Sequence, residues 1–462
     1  MDGKIKKYDI LIIGAGPAGH NAALKLGAAG KKIAVIETSD PGGTCLNRGC
    51  IPTTLLLNIA EFIKRLKNAD EIGIELNSGF SINMDKIIKK KNYVIDIQRK
   101  GIRQSFKSHS IDFFENYSAS FEDKKTICVK KNSGDETFQL TADKIVIASG
   151  SVSHSPADFE IDNKNIFLSD NIFDLNIIPK SIAVIGAGVT GCEFAYFFNE
   201  LGSEVFLIDS ADAILPIGID EDIHKVFIRE IKKNKINIQT SQTIEECRVN
   251  GNSCLLRLSG GVVLNPEKIL VSAGRRGNIA GLNLGCAGIE TDKKNFIVTD
   301  KNYMTTAPDV FAIGDIRGKF LYAHTAAAEG VALADIIMGN PRRYDFNFLP
   351  FTVFTYPEIG WVGLTEKQAI EQKIPIKKGI FHFRASGRAH TLGEISGLVK
   401  IIVNADTERI IGGHIIGSRA TDLIHTVIVA MKNNIKFTDI SEIIAAHPSM
   451  TESLIEAVNA VS

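Results

Sequence analysis

Tyr8-Asp9-Ile10-Leu11-Ile12-Ile13-Gly14-Ala15-Gly16-Pro17-Ala18-Gly19 is the stretch that decides the fold. A short apolar run, patterned like a buried strand, passes straight into a glycine turn. A helix is predicted from about His20 to Ala28. Lys32-Ile33-Ala34-Val35-Ile36 then reads as a second strand and ends at Glu37. Gly14, Gly16 and Gly19 let the backbone approach a pyrophosphate, and the helix N-terminus holds its charge. Glu37 is placed to take the hydroxyl pair of a ribose. The basic, then apolar run from Lys4 to Ile13 superficially resembles a signal peptide. Asp9 interrupts it and the glycine turn follows, so it is read as the first strand.

The unit recurs. Ser181 to Ile185 is a strand, Gly186-Ala187-Gly188-Val189-Thr190-Gly191 is the turn, and Glu204 to Ile208 is a strand closed by Asp209. One glycine fingerprint is a weak signal, and glycines used only for tight packing are the alternative for either copy. Two fingerprints with the same acid spacing are a strong signal. They imply an α/β protein with two Rossmann-like units. Asp209 would repel a 2′-phosphate, and Ser210-Ala211 supply no arginine to neutralise one. The second site therefore favours NAD over NADP.

Gly42-Gly43-Thr44-Cys45-Leu46-Asn47-Arg48-Gly49-Cys50-Ile51-Pro52 lies between the two copies. The spacing puts Cys45 and Cys50 on one face of a helical turn, close enough for a disulfide once the turn distorts. The glycine pair before them places both thiols at a helix N-terminus, where the dipole favours a thiolate. A structural disulfide and half of a metal site are the alternatives. The sequence holds no second close cysteine pair, which disfavours the metal. Two dinucleotide units and a redox pair suggest an electron path, with nicotinamide at one site and a flavin beside the disulfide at the other.

A chain of 462 residues is long enough for about two to four domains. Lys and Arg number 53, as do Asp and Glu, so no basic field argues for nucleic acid or a membrane surface. Lys89-Lys90-Lys91 and Lys232-Lys233 are expected on solvated helix faces. The seven scattered cysteines fit a reducing interior, and a cytoplasmic location is expected. Cys128 and Cys254 fall in strand-like runs and are expected to be inert. No apolar run reaches membrane-spanning length.

Further markers are Ser272-Ala273-Gly274-Arg275, Ala312-Ile313-Gly314-Asp315, Tyr356-Pro357-Glu358 through Trp361-Val362-Gly363, and His447-Pro448-Ser449-Met450-Thr451-Glu452. With the earlier motifs they make nearly the whole chain resemble the pyridine nucleotide–disulfide oxidoreductase family, and within it the dihydrolipoyl dehydrogenases. The resemblance implies two Rossmann-like dinucleotide-binding domains and a C-terminal α+β dimerisation domain. FAD would lie in residues 1–149 and 275–345, NAD in the inserted residues 150–274, and the dimer interface in residues 346–462. Ala148-Ser149-Gly150 and Gly274-Arg275-Arg276-Gly277 fit the crossovers, because glycines permit sharp turns. Helices are expected over about 51–67, with Pro52 in the first turn, and over about 84–107. A third, about Thr421 to Asn433, carries Leu423, Val427, Ile428 and Met431 on a face that is either core or interface.

The resemblance also implies roles. Cys50 is the thiol beside the flavin, in thiolate form, and Cys45 is the outer thiol that exchanges with substrate. Gly43 and Thr44 flank FAD, and Asp315 binds its ribityl chain, although a helix N-cap would also explain Asp315. Glu193 and Gly274 join the second fingerprint around NAD. His447 is the acid–base, acting on Cys45 of the partner subunit, and Glu452 orients it. Thiol–disulfide exchange needs such a base to form the attacking thiolate. Ser449-Met450-Thr451-Glu452 equally fits a capping box. A homodimer is implied. Its expected partner is a lipoyl-bearing protein of a 2-oxo acid dehydrogenase or glycine cleavage system.

One position departs from the family pattern. Thr54 stands where the motif ordinarily continues with a lysine that pairs with a glutamate after the second fingerprint. Glu193 fills the glutamate position without that partner. Its pKa is expected to be raised, and hydride exchange between flavin and NAD to be weakened or altered. The alternatives are another NAD(P)H-dependent disulfide reductase of the family and a catalytically attenuated flavin- and NAD-binding subunit or redox sensor. Retention of Cys45, Cys50, His447 and Glu452 argues against attenuation. The lack of cysteines after Cys286 argues against relatives with a C-terminal cysteine pair.

Overall fold

Ile10, Leu11, Ile12 and Ile13 are all buried, so their strand has neighbours on both faces. The computed structural model describes residues 6–76, 79–156, 159–215, 218–340 and 344–462, and Lys4 lies outside the described residues. The strand runs Lys6–Ile13. It pairs in parallel with Ile33–Glu37 on one side and Thr137–Ile147 on the other. Asp112–Glu115 extends the parallel sheet at one edge, and Val310–Ala312 joins it beside Ile145 to Ile147. Tyr117–Phe121 and Thr126–Lys131 add an antiparallel ribbon to the first half of Thr137–Ile147. The helix of the first fingerprint runs Pro17–Ala28, with Pro17 at its first position.

The second copy builds its own parallel sheet, in the order Asn237–Gln239, Glu204–Ile208, Ser181–Ile185, Lys268–Val271, Ile166–Leu168. Ile182, Ala183 and Val184 are fully buried at its centre. Where the chain passes between the two sheets, Ser151–Ser153 pairs antiparallel with Arg275–Gly277. The third sheet is antiparallel, in the order Phe351–Val353, Ile359–Gly363, Ile410–Ile416, Leu398–Asn404, Ile376–His382. Leu423, Val427 and Met431 of helix Ala420–Lys432 are buried against it and Ile428 packs on the same cluster, so that face is core.

Helix Cys50–Lys67 is the wedge that positions the site. One apolar cluster joins its Leu56, Leu57 and Ala60 to Phe194 and Phe198 of the second copy and to Val353 and Trp361 of the third sheet. Its neighbour, helix Met84–Ser108, opens on Asn83, whose side chain accepts from the Lys86 N–H. Lys89 and Lys90 are solvated as expected. Lys91 is not: it is buried, and its Nζ donates to Phe173 O at 2.9 Å and to Asp174 at 3.1 Å. A run of lysines around a helix must turn one of its members inward when only part of the helix faces water. Here the inward lysine anchors the first unit to the second.

Candidate active site

The two fingerprints make the same local structure. Gly14 (φ +107°) and Gly186 (φ +102°) take left-handed backbone that favours glycine. A Cβ on Gly19 would lie 2.0 Å from Gly14 O, and one on Gly191 would lie 1.8 Å from Gly186 O. Each closing acid locks its turn. Glu37 accepts the Ala15 N–H at 2.8 Å and the Ser39 N–H at 3.0 Å. Asp209 accepts the Ala187 N–H at 2.5 Å and the Ala211 N–H at 2.8 Å. The acids are thus anchored by backbone at the base of each cradle.

The first cradle opens into a cavity of about 590 Å³. Gly14, Gly16, Glu37, Gly43, Thr44, Cys45, Cys50, Glu193 and Asp315 all line it. The sequence-chosen residues of the first unit therefore converge on one space, joined by Glu193 from the helix after the second fingerprint. Gly19 does not line this cavity; nor do Gly186, Gly188, Gly191 and Asp209, which make the second turn, or Gly274, which follows strand Lys268–Val271. Residues to which the sequence gave no site role also line the cavity. Ser149 Oγ is buried with no hydrogen-bond partner among the described residues. Ser151 Oγ donates to Asp315 at 2.7 Å and is itself held by Arg275 Nε at 2.7 Å, while Arg275 pairs with Asp170 at 2.9 Å. Only the fold brings 151, 170, 275 and 315 together, which is why the sequence did not show this relay. Asp315 sits inside the 3₁₀ turn Gly314–Arg317 and makes no cap, so capping does not account for it. Burial raises its pKa, with Ser151 and Arg275 working against the rise.

The cysteine motif forms two helices, not one turn. Gly43–Arg48 carries Cys45, Gly49 breaks the path (φ −145°, ψ −119°), and Cys50 begins helix Cys50–Lys67. A Cβ on Gly49 would lie 2.9 Å from Thr44 O, so only glycine lets the two helices close on each other here. Cys50 alone stands at the N-terminus of a long helix. Asn47 ties the motif down: its Nδ2 donates to Gly43 O at 2.9 Å, and its Oδ1 accepts from Arg99 at 2.7 Å.

Both thiols are free and open to the cavity. A hydrogen bond from Cys50 lowers the Cys45 pKa. The same bond, burial and the charges of Cys45 and Glu193 raise that of Cys50. The pair therefore gives up one proton readily and the second with difficulty. Cys192, buried behind the site, is pushed up by desolvation, as are Cys247 and Cys254, each to about 11, on the separate antiparallel strands Ile244–Asn250 and Ser253–Leu258.

Glu193 is buried in the cavity wall, and desolvation pushes its pKa up to about 7. Its Oε1 accepts the Phe354 N–H at 3.0 Å. No cation pairs with it among the described residues. Lys64, on the same helix as Thr54, reaches Glu200 (3.8 Å) and the ring of Tyr356 (4.7 Å) instead.

His447 lies outside the cavity, 80% exposed at its side chain. Its Nδ1 is 2.8 Å from Glu452 Oε1, while Glu452 Oε2 accepts the Ser449 N–H at 2.7 Å. Glu452 thus serves both readings: it orients the imidazole and caps the backbone. The other half of a capping box is missing, because Ser449 Oγ is buried without a partner among the described residues.

Residues 8–330 match the family model described as pyridine nucleotide-disulphide oxidoreductase, and residues 349–458 match that family's dimerisation domain. The chain belongs to this family. Members of the pyridine nucleotide–disulphide oxidoreductase family are FAD-carrying enzymes that use NAD, and these are the cofactors of this chain. A dihydrolipoyl dehydrogenase of Chlamydia trachomatis is 35% identical over 447 residues, 96% of this chain and 95% of the relative. That of Bacillus subtilis is 33% identical over 463 residues, 98% and 97% of the two chains. Among solved structures, the HOCl-induced flavoprotein disulfide reductase RclA of Escherichia coli, as a Cu(II) complex, superposes with a TM-score of 0.89 at 27% identity. It covers 98% of this chain and 99% of its own. No helix among the described residues is long and apolar enough to cross a membrane.

Proposed function

We propose that this chain oxidises protein-bound dihydrolipoyl groups and passes the electrons to NAD. The observation that carries the reading is the meeting of Cys45, Cys50 and Glu193 on one cavity wall beneath the first fingerprint. Relatives of nearly equal length named dihydrolipoyl dehydrogenase support the substrate. FAD fits this cavity: the cradle of Gly14 and Gly16 leaves backbone bare, Asp315 and Glu37 present acids, and Ser149 Oγ is a buried hydroxyl in want of a partner. We assign FAD to residues 1–149 and 275–345, NAD to 150–274, and the homodimer interface to 346–462.

When bound, FAD supplies two-electron transfer between the sulfur side and the nicotinamide side. The rest falls to side chains. A dihydrolipoyl thiolate attacks Cys45 of the Cys45–Cys50 disulfide; the S–S bond breaks and Cys50 leaves with the electron pair as a thiolate. The second lipoyl thiol then displaces Cys45 from the mixed disulfide, which frees the oxidised lipoyl ring and leaves Cys45 to take up a proton. His447, held in one tautomer by Glu452, moves the thiol proton. Its exposure on its own chain suits service to the Cys45 of the partner subunit. Arg275 and Ser151 hold Asp315 in position. The lipoyl carrier belongs to a 2-oxo acid dehydrogenase or glycine cleavage system, and the free cysteines suit a reducing cytoplasm.

RclA's similarity favours a second reading, reduction of another disulfide with NADH. The test is NAD reduction by dihydrolipoamide, with wild type and Thr54→Lys side by side. Turnover by the wild type supports the dehydrogenase. Rescue only by lysine points to an attenuated relative. Failure of both with FAD bound removes the lipoyl substrate.

A further inference from the structure

Helix Val189–Glu200 drives Glu193 into the cavity wall beside Cys50, Thr53 and Thr54, where its residue is 8% exposed. Its one hydrogen bond, from Phe354 N–H, engages Oε1. Oε2 has no hydrogen bond among the described residues. An ionised carboxylate in such a place lacks the charge partner and the full set of donors that burial demands.

Arg48 and His324 line the same cavity but neither bonds to Glu193, and the charged groups on the elements packed against it have other partners. On its own helix, Cys192 turns its sulfur to Ala187 O at 3.4 Å, and Glu200 is answered by Lys64 and Lys67. On helix Cys50–Lys67, Thr54 is neutral, Lys64 is ten residues further along, and Arg65 pairs with Glu61 and Glu394. Beyond strand Glu204–Ile208, Asp209 is taken up by two backbone N–H groups. Below, Asp174 is answered by Lys91. The segment after Phe351–Val353 offers the Phe354 amide and, at Tyr356, a phenol drawn to Lys64. That leaves Cys50 and Cys192 as the thiols that feel Glu193, and of the two only Cys50 shares the cavity wall with it.

We propose that Glu193 is the proton store of the redox centre, holding a proton while a thiolate stands on the Cys45–Cys50 pair and releasing it when the disulfide re-forms. It does with a mobile proton what a fixed cation at position 54 would do with a permanent charge. The balance closes. Reduced pyridine nucleotide supplies two electrons to the Cys45–Cys50 disulfide and the S–S bond breaks. One sulfur takes a proton, the other remains a thiolate, and the second proton goes to the Glu193 carboxylate. Reoxidation returns both electrons and both protons. The proposal rests on reading Cys45 and Cys50 as a redox couple, but not on the lipoyl substrate.

The test is an equilibrium measurement on the FAD-loaded dimer. The Cys45–Cys50 couple is poised against a dithiol buffer between about pH 7 and pH 8, quenched by alkylation, and read by mass spectrometry. Each proton taken up with the electrons changes the reduction equilibrium about tenfold per pH unit. Wild type is expected to be steeper than Glu193→Gln by about one such factor, because glutamine takes no proton. Thr54→Lys, with Glu193 present, is expected to lose the same steepness by holding the carboxylate ionised. In the infrared, a protonated-carboxyl band should grow on reduction of wild type and be missing in Glu193→Gln. Equal pH dependence in wild type and Glu193→Gln, both carrying FAD, would overturn the proposal. Failure to find any Cys45–Cys50 disulfide overturns the redox reading and the proposal with it. Loss of lipoyl activity alone touches neither.

Discussion

Replacing Gly191 by alanine should separate the two cofactor sites. A Cβ on Gly191 would stand 1.8 Å from Gly186 O, against 3.4 Å for ordinary contact, so the two must part by about 1.6 Å. The obstacle is backbone on both sides: a helix first turn and the left-handed Gly186. Neither has a side chain to swing away. Overpacking of this kind costs about 1–3 kcal/mol, and here it falls on the turn we propose to hold the pyrophosphate. At about 1.4 kcal/mol per tenfold, NAD affinity should fall about tenfold to a hundredfold. Gly19→Ala, whose Cβ would meet Gly14 O at 2.0 Å, should instead strip FAD. Bound flavin is read by absorbance of the purified protein, and NADH affinity by fluorescence titration. Wild-type NADH affinity in Gly191→Ala refutes the steric reasoning. Loss of flavin in Gly191→Ala, with retention in Gly19→Ala, refutes the assignment of the two cradles.

Four more expectations follow from the geometry. His447→Gln should lower thiol–disulfide exchange by about a hundredfold to ten-thousandfold with FAD and NADH binding intact. A mixed dimer of Cys45→Ser and His447→Gln chains should recover one working site of its two, whereas no recovery would deny that the residues meet across the dimer. At neutral pH, iodoacetamide should modify Cys45 before Cys50, since the Cys50 hydrogen bond lowers Cys45; the reverse order, mapped by peptide mass, would contradict it. Lys400→Met should destabilise the chain by about 3–5 kcal/mol in denaturant unfolding. It strands Asp220, Asp222 and Glu366, which Lys400 Nζ now holds at 2.8, 2.7 and 2.6 Å. Burial opposes ionisation of Asp220, yet the bond to Lys400 keeps its pKa low, while Lys378 and Lys400 do so for Glu366. The wild-type advantage is therefore present above the unfolded carboxylate range and lost as pH falls through the lowered values. A deficit that stays constant on acidification would contradict this account.

The two nucleotide cradles were legible because their chemistry is local. A buried strand, glycines at fixed offsets and a closing acid lie within one short stretch. Backbone sterics at Gly14, Gly19, Gly186 and Gly191 leave few other residues possible. The oddity of Thr54 sharing a cavity with Glu193 was legible for the same reason, since both positions are fixed by motifs. Tertiary structure decided what depends on residues distant in sequence. It broke the cysteine turn at Gly49, because two helices pack too closely there for a side chain. It gathered Ser151, Asp170 and Arg275 behind Asp315. It turned Lys91 inward, where helical periodicity alone gave no reason to choose one lysine of three. It also left Glu193 with a single amide for company. Sequence determines which groups are present and how the local backbone must run. Which charges stay unanswered depends on how three sheets close around one helix.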